Sequence, residues 1–135
     1  MASQPLRPEP NDHPLQRIRQ ISVTVKDLPR AIAFYRDTLG LPLLFEAPPS
    51  LAFFDCGGVR LMLSPPEPGA PAAGTSVIYY LVDDIAAAHT LLARRGAAFD
   101  DAPHVIARMP DHDLWLTVCK DSEGNHVGLM SEVRR

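Results

Sequence analysis

The sequence predicts an α+β fold built from two copies of a βαβββ module. Three observations predict it. A run rich in β-branched or aromatic residues leads through an Asp into a helix-like stretch twice, at "QISVTVKDL" (residues 20–28) and at "VIYYLVDDI" (residues 77–85). An offset of 57 carries Val25 onto Val82, Asp27 onto Asp84, Leu28 onto Ile85, Ala31 onto Ala88 and Phe34 onto Leu91. Near the end of each copy an offset of 66 carries Gly58 onto Gly124, Arg60 onto His126, Leu61 onto Val127 and Leu63 onto Leu129, and the nine extra residues fit a longer hairpin in the second copy.

Taken in order, residues 1–16 hold four prolines and no apolar stretch, which predicts a flexible tail rather than a secretory signal. The first module spans residues 17–64. In "IRQISVTV" the alternation sends Ile21, Val23 and Val25 to one face and Gln20, Ser22 and Thr24 to the other, a half-buried strand. Asp27 is placed as an N-cap with Pro29 in the first turn, and Leu28, Ile32, Tyr35 and Leu39 form one apolar helical stripe that Gly40 ends. Three strands follow, "LPLLFEA", "LAFFDC" and "VRLMLS". Residues 65–75, dense in Pro, Gly and Ala, read as a linker. The second module, residues 76–132, repeats the order: "SVIYYLV", a helix capped by Asp84 and ended by Gly96, then "HVIARM", "LWLTVCK" and "HVGLM", with "PDHD" and "DSEGN" as turns.

Composition narrows the function. The length suits one domain, and a net charge of −3 without a basic cluster argues against nucleic acid. No apolar run approaches the roughly 20 residues that span a bilayer. Cys56 and Cys119 are too few and too far apart for a disulfide framework or a zinc cluster, and are expected as reduced thiols inside strands of a cytoplasmic protein.

The phrases "ISVTVKDLPRAIAFYRDTLGLPLLFE", "FFDCGGVRLMLSPPE" and "KDSEGNHVGLM" resemble the vicinal oxygen chelate superfamily, the glyoxalase, bleomycin-resistance and extradiol dioxygenase group, over residues 17 to 132. The resemblance implies that the two modules pair to form an open, barrel-like cleft and that enzymes of the group hold a divalent metal there, with one ligand from the first and one from the last strand of each module. It also implies a homodimer. The corresponding positions are Gln20, Met62, Val77 and Gly128. Gln is a ligand type of the glyoxalase branch, but Val and Gly carry no donor, and a Met thioether is a soft ligand poorly matched to an oxygen-rich divalent site. The expectation is therefore no metal and no other cofactor.

The same alternation puts Gln20, Ser22, Thr24, Arg60, Met62, Tyr79 and His126 on the cleft side, a mixture of apolar walls and a few polar groups that suits a small-molecule ligand. Trp115, directly after a turn, is added as a rim residue. Arg60 and His126 occupy equivalent places in the two copies and are the candidates to hold an anionic oxygen or to catalyse. Two readings stay open. One is a metal-free protein that binds a small organic molecule; the other is a lyase or isomerase of the same scaffold with a displaced or absent metal, acting through Arg60 and His126, where His104 and His112 join His126 in a displaced metal site or in an acid–base pair.

Overall fold

A computed structural model describes residues 16–66, 68 and 76–135. The predicted tail, apart from its last residue, and most of the predicted linker lie outside the described residues. The first module runs β1 (Gln20–Thr24), α1 (Leu28–Ala33), a π-helical turn (Phe34–Thr38), β2 (Leu43–Ala47), β3 (Leu51–Cys56) and β4 (Val59–Ser64). The second runs β5 (Ile78–Leu81), α2 (Ile85–Arg94), β6 (Ala98–Phe99), β7 (His104–Arg108), β8 (His112–Lys120) and β9 (His126–Arg134). Each module is one sheet in which the first strand lies parallel to the last: β1 beside β4, in the order β1-β4-β3-β2, and β5 beside β9, in the order β5-β9-β8-β6 with β7 also on β8. The sheets are not closed on each other.

The alternation read in β1 is the one observed. Val25 is buried and Ile21 and Val23 pack against the cluster of Ala31, Ile32, Tyr35, Phe54, Leu61 and Leu63, while Gln20, Ser22 and Thr24 remain exposed. Both helices start where an Asp can cap them. The Asp27 carboxylate accepts from the Arg30 amide at 3.1 Å, and Asp84 accepts from Ala87 at 3.0 Å. Gly40 ends the first helix at φ 81°, a conformation open to Gly and costly for other residues.

Three features differ from expectation. The first helix widens, with the Leu39 amide bonding the Phe34 carbonyl five residues back at 2.9 Å. A two-residue strand, β6, precedes the predicted β7. His89 lies among alanines on the second helix, which predicts a surface residue, but it sits against Phe99 with ring centroids 4.2 Å apart, and its Nε2 is buried without a hydrogen-bond partner among the described residues.

The modules are tied together on their helix-covered sides. Tyr35, 2 % exposed, donates its hydroxyl proton to Asp121 Oδ2 at 2.8 Å. Asp121 is itself buried and also accepts from the Glu123 amide, the Asn125 amide and Asn125 Nδ2, all within 2.9 Å. The Asp27 amide donates to Glu123 Oε2 at 2.9 Å, and Arg95 Nη1 reaches the Thr38 carbonyl at 3.3 Å. No helix among the described residues is long and apolar enough to cross a membrane.

Candidate functional site

Strand register decides which predicted residues share a face. Gln20 lies opposite Arg60, Ser22 opposite Met62 and Thr24 opposite Ser64. Their side chains meet: Arg60 Nε donates to Gln20 Oε1 at 2.7 Å, Gln20 Nε2 approaches Met62 Sδ at 3.7 Å, and the Ser22 and Ser64 hydroxyls are 2.8 Å apart. Phe53, stacked on Phe45 at 4.6 Å, places its ring 5.6 Å beneath the Arg60 guanidinium. Five of the predicted residues therefore stand on one face of the first sheet, as read.

On the second sheet Tyr79 lies opposite Gly128. The Tyr79 ring fills the space above that glycine. A Cβ built on Gly128 would run into Tyr79 Cδ1 and lie 2.7 Å from Cε1. Thus the position that matches a metal ligand is both without a donor and covered by an aromatic ring. Across β1, the Gln20 amide oxygen is already committed to Arg60. Val77 and Met62 add no hard donor, so the residues present do not fit a divalent ion. Gly128→Ala is expected to destabilise the fold by about 1–3 kcal/mol through overpacking. Tyr79→Ala in the same chain should recover much of that loss in a urea-melt double-mutant cycle, and strictly additive costs would show the ring contact to be incidental.

The histidines do not gather. His112 begins β8, His104 faces Leu116 and His126 faces Lys120, so their places step along β8 by four residues. At about 3.3 Å per residue, His112 and His126 are roughly 26 Å apart along the strand. No group of three or more His, Cys, Asp or Glu side chains suited to a metal occurs among the described residues. The "DHD" turn instead clamps the end of β9. Asp111 accepts from His112 Nδ1 at 2.7 Å and Arg134 at 3.1 Å, and Asp113 pairs with Arg108 and Arg135. The bond from His112 holds the Asp111 carboxyl below its ordinary pKa.

Trp115, expected at a rim, packs instead against the second core cluster with Cys119 and Leu129, in phase with the buried Thr117 and Cys119. Alternation along β8 carries that signal.

A cavity of about 740 Å³ lies along the seam between the modules. Its wall is largely apolar, with Ile21 and Leu61 from the first module and Ile78, Leu92 and Leu129 from the second. Of the predicted residues its lining includes Arg60 and Tyr79 but not Gln20, Ser22, Thr24, Met62, Trp115 or His126, because the cavity lies on the side of Ile21, Leu61 and Leu129 and not on the polar face of β1. It adds Cys56, Tyr80 and Arg95, which sequence reasoning missed because nothing in either module alone shows where the two abut. Burial, with the Asp55 charge behind it, pushes the Cys56 thiol up, so it is no activated nucleophile.

A family model described as the Glyoxalase/Bleomycin resistance protein/Dioxygenase superfamily matches residues 17–129. The chain is 26% identical over 120 residues to the uncharacterized protein YraH of Bacillus subtilis, covering 73% of this chain and 94% of that one. Among solved structures it is similar to lactoylglutathione lyase from Agrobacterium tumefaciens, with a TM-score of 0.70, 26% identity and coverage of 87% of this chain and 95% of that one. It is equally similar to TnmS3, an antibiotic binding protein from Streptomyces sp. CB03234, with a TM-score of 0.70, 25% identity and coverage of 89% and 98%.

Proposed function

The chain belongs to the glyoxalase/bleomycin resistance protein/dioxygenase superfamily, and on that footing we propose that it binds a small organic molecule in the cavity between its modules, without a metal ion. The observation that carries the reading is the cavity. Its volume of about 740 Å³ falls in the range of drug-sized ligand sites, and its apolar wall is interrupted by a few polar groups that can orient a guest. The antibiotic-binding relative supports binding as a task for this scaffold. The metal-free part of the reading rests on the donor set at Gln20, Met62, Val77 and Gly128 and on the Tyr79 ring over Gly128.

The catalytic alternative through Arg60 and His126 lacks an observation in its favour, because the cavity holds one and not the other. The proposal extends to a cytoplasmic homodimer. β1 and β5 are edge strands, and Tyr79, Leu81, Phe45 and Ile106 are exposed apolar residues that a second copy would cover. Sedimentation at micromolar concentration tests it, and a monomer would refute it.

For the ligand site, naphthalene-2-carboxamide is a suitable neutral probe. At a hundred times its Kd it should stabilise the protein by about 2.7 kcal/mol. Ala88→Trp, which projects an indole from α2 into the cavity, should remove that shift while the chain remains folded by circular dichroism. Binding unaffected by Ala88→Trp would place the guest elsewhere and defeat the reading. Elemental analysis of the same preparation should return no stoichiometric divalent ion.

A further inference from the structure

We infer that the cavity takes a neutral carbonyl compound with an apolar body, and that the Tyr80 hydroxyl donates to its carbonyl oxygen. The inference rests on the cavity-binding reading and names its ligand class.

Strand period sorts the polar groups beside the cavity into those that face it and those that do not. On β5, Tyr79 and Leu81 stand on the open face of the sheet, with the Tyr79 ring over Gly128. Tyr80 is turned the other way, with Ile78 and Val82. Ile78 packs on the first core cluster, Tyr80 and Val82 on the second, and all three line the cavity. On β3, Cys56 shares the side of the buried Phe54, whereas Asp55 lies opposite Arg60 on the far face. Arg60 is held on that face by Gln20 and Phe53. The other arginine of the lining, Arg95, gives its Nη1 to the Thr38 carbonyl at 3.3 Å.

Tyr80 therefore points from the second module towards Cys56 of the first. Its hydroxyl makes no hydrogen bond among the described residues, and the nearby Asp121 carboxylate already accepts four. Nor is it one of the enclosed polar atoms, so it opens on the cavity. Burial, then the Cys56 and Asp121 charges, keeps this phenol protonated far above its ordinary range. Burial and the Asp55 charge likewise keep Cys56 a thiol. The polar groups that strand period turns inward are thus an uncommitted O–H donor and a weak S–H donor, both neutral, in a largely apolar wall. An ionised guest would be buried there without a partner. A neutral oxygen acceptor would complete the bond that the wall leaves unmade.

2-Acetylnaphthalene and 2-isopropenylnaphthalene share shape, and only the ketone accepts a hydrogen bond. In titration calorimetry of the full chain at pH 7.5, Tyr80→Phe should weaken the ketone by about three- to tenfold, the worth of a neutral hydrogen bond, and leave the hydrocarbon within about twofold. The hydroxyl holds nothing in the protein, so Tyr80→Phe should melt no lower than wild type. Naphthalene-2-carboxylate should bind wild type at least about tenfold more weakly than the ketone. Equal weakening of ketone and hydrocarbon, or of neither, would overturn the role of Tyr80 and leave the cavity reading standing. A Tyr80→Phe chain melting well below wild type would show the hydroxyl to be tied to the protein and overturn it too. A carboxylate as tight as the ketone would overturn the neutral preference. Failure of all three probes to bind would defeat the cavity reading and this inference together.

Discussion

Asp121→Ala is expected to lower the melting temperature by about 10–20 °C, corresponding to a loss of about 3–5 kcal/mol. The carboxylate is 7 % exposed and accepts four hydrogen bonds, from the Tyr35 hydroxyl, two backbone amides and the Asn125 side chain. Truncation removes them all. It leaves a buried tyrosine hydroxyl with no acceptor and frees the β8–β9 turn that also holds Asp27 through Glu123. Asp121→Asn keeps the shape but brings two N–H donors towards groups that are themselves donors, so it should rescue little. Asp37→Ala, at a fully exposed ion pair with Arg36, serves as a control without measurable change. Thermal melts of the three variants decide the matter. An Asp121→Ala protein melting within a few degrees of wild type would show that the Asp121 hydrogen bonds contribute little to joining the modules.

The second large effect is on alkaline stability. Burial, then the nearby Asp121 charge, pushes the Cys119 thiol up to about 11 from an ordinary value of 9.0. The same two causes, with the hydrogen bond to Asp121, raise the Tyr35 phenol well beyond its ordinary value of 10.0. Both groups are neutral when protonated, and the folded protein holds these protons more tightly than the unfolded chain. The sign follows: their contribution is complete below pH 9 and is lost as pH rises, from about 9 to 11 for Cys119 and from about 10 upwards for Tyr35. Each costs about 1.4 kcal/mol per pH unit within its window. Urea melts at pH 8, 9, 10 and 11 should show a steepening fall, and Tyr35→Phe should flatten it above pH 10. A stability constant across that range would contradict the burial described for both side chains.

Much of the fold was legible because local chemistry and long-range structure agree. Asp27 and Asp84 are N-caps in sequence and in structure, and the alternation of β1 divides the core from the exposed face as the pattern requires. The repeat offsets also hold in three dimensions, since Arg60 and His126 occupy equivalent strand positions. What was not legible lies between modules. "DSEGN" reads as an ordinary turn, and only the arrival of Tyr35 makes Asp121 a buried strut. Tyr79 and Gly128 are 49 residues apart in sequence, and their complementarity is visible only once β5 lies on β9. Trp115 shows the converse: the strand period it shares with Thr117 and Cys119 marks it as a core residue, and in this hairpin that period outweighs the nearness of the turn. The two C-terminal arginines explain why β8 and β9 run longer than their apolar cores predicted, for charge pairs with the "DHD" turn carry the ladder past Met130.

The parallel pairing of first and last strands has a consequence for how the chain is made. β1 cannot settle until β4 exists, and Gln20 waits 40 residues for Arg60. All of the first sheet's strands have been synthesised once Ser64 is, so that sheet can close during translation while the second half is still being made. Tyr35 must then wait 86 residues for Asp121. Such late, distant contacts are slow to form. The seam is therefore expected to assemble after both sheets. A molecule that occupies the seam cavity will act on that final docking step and leave the closure of each sheet untouched.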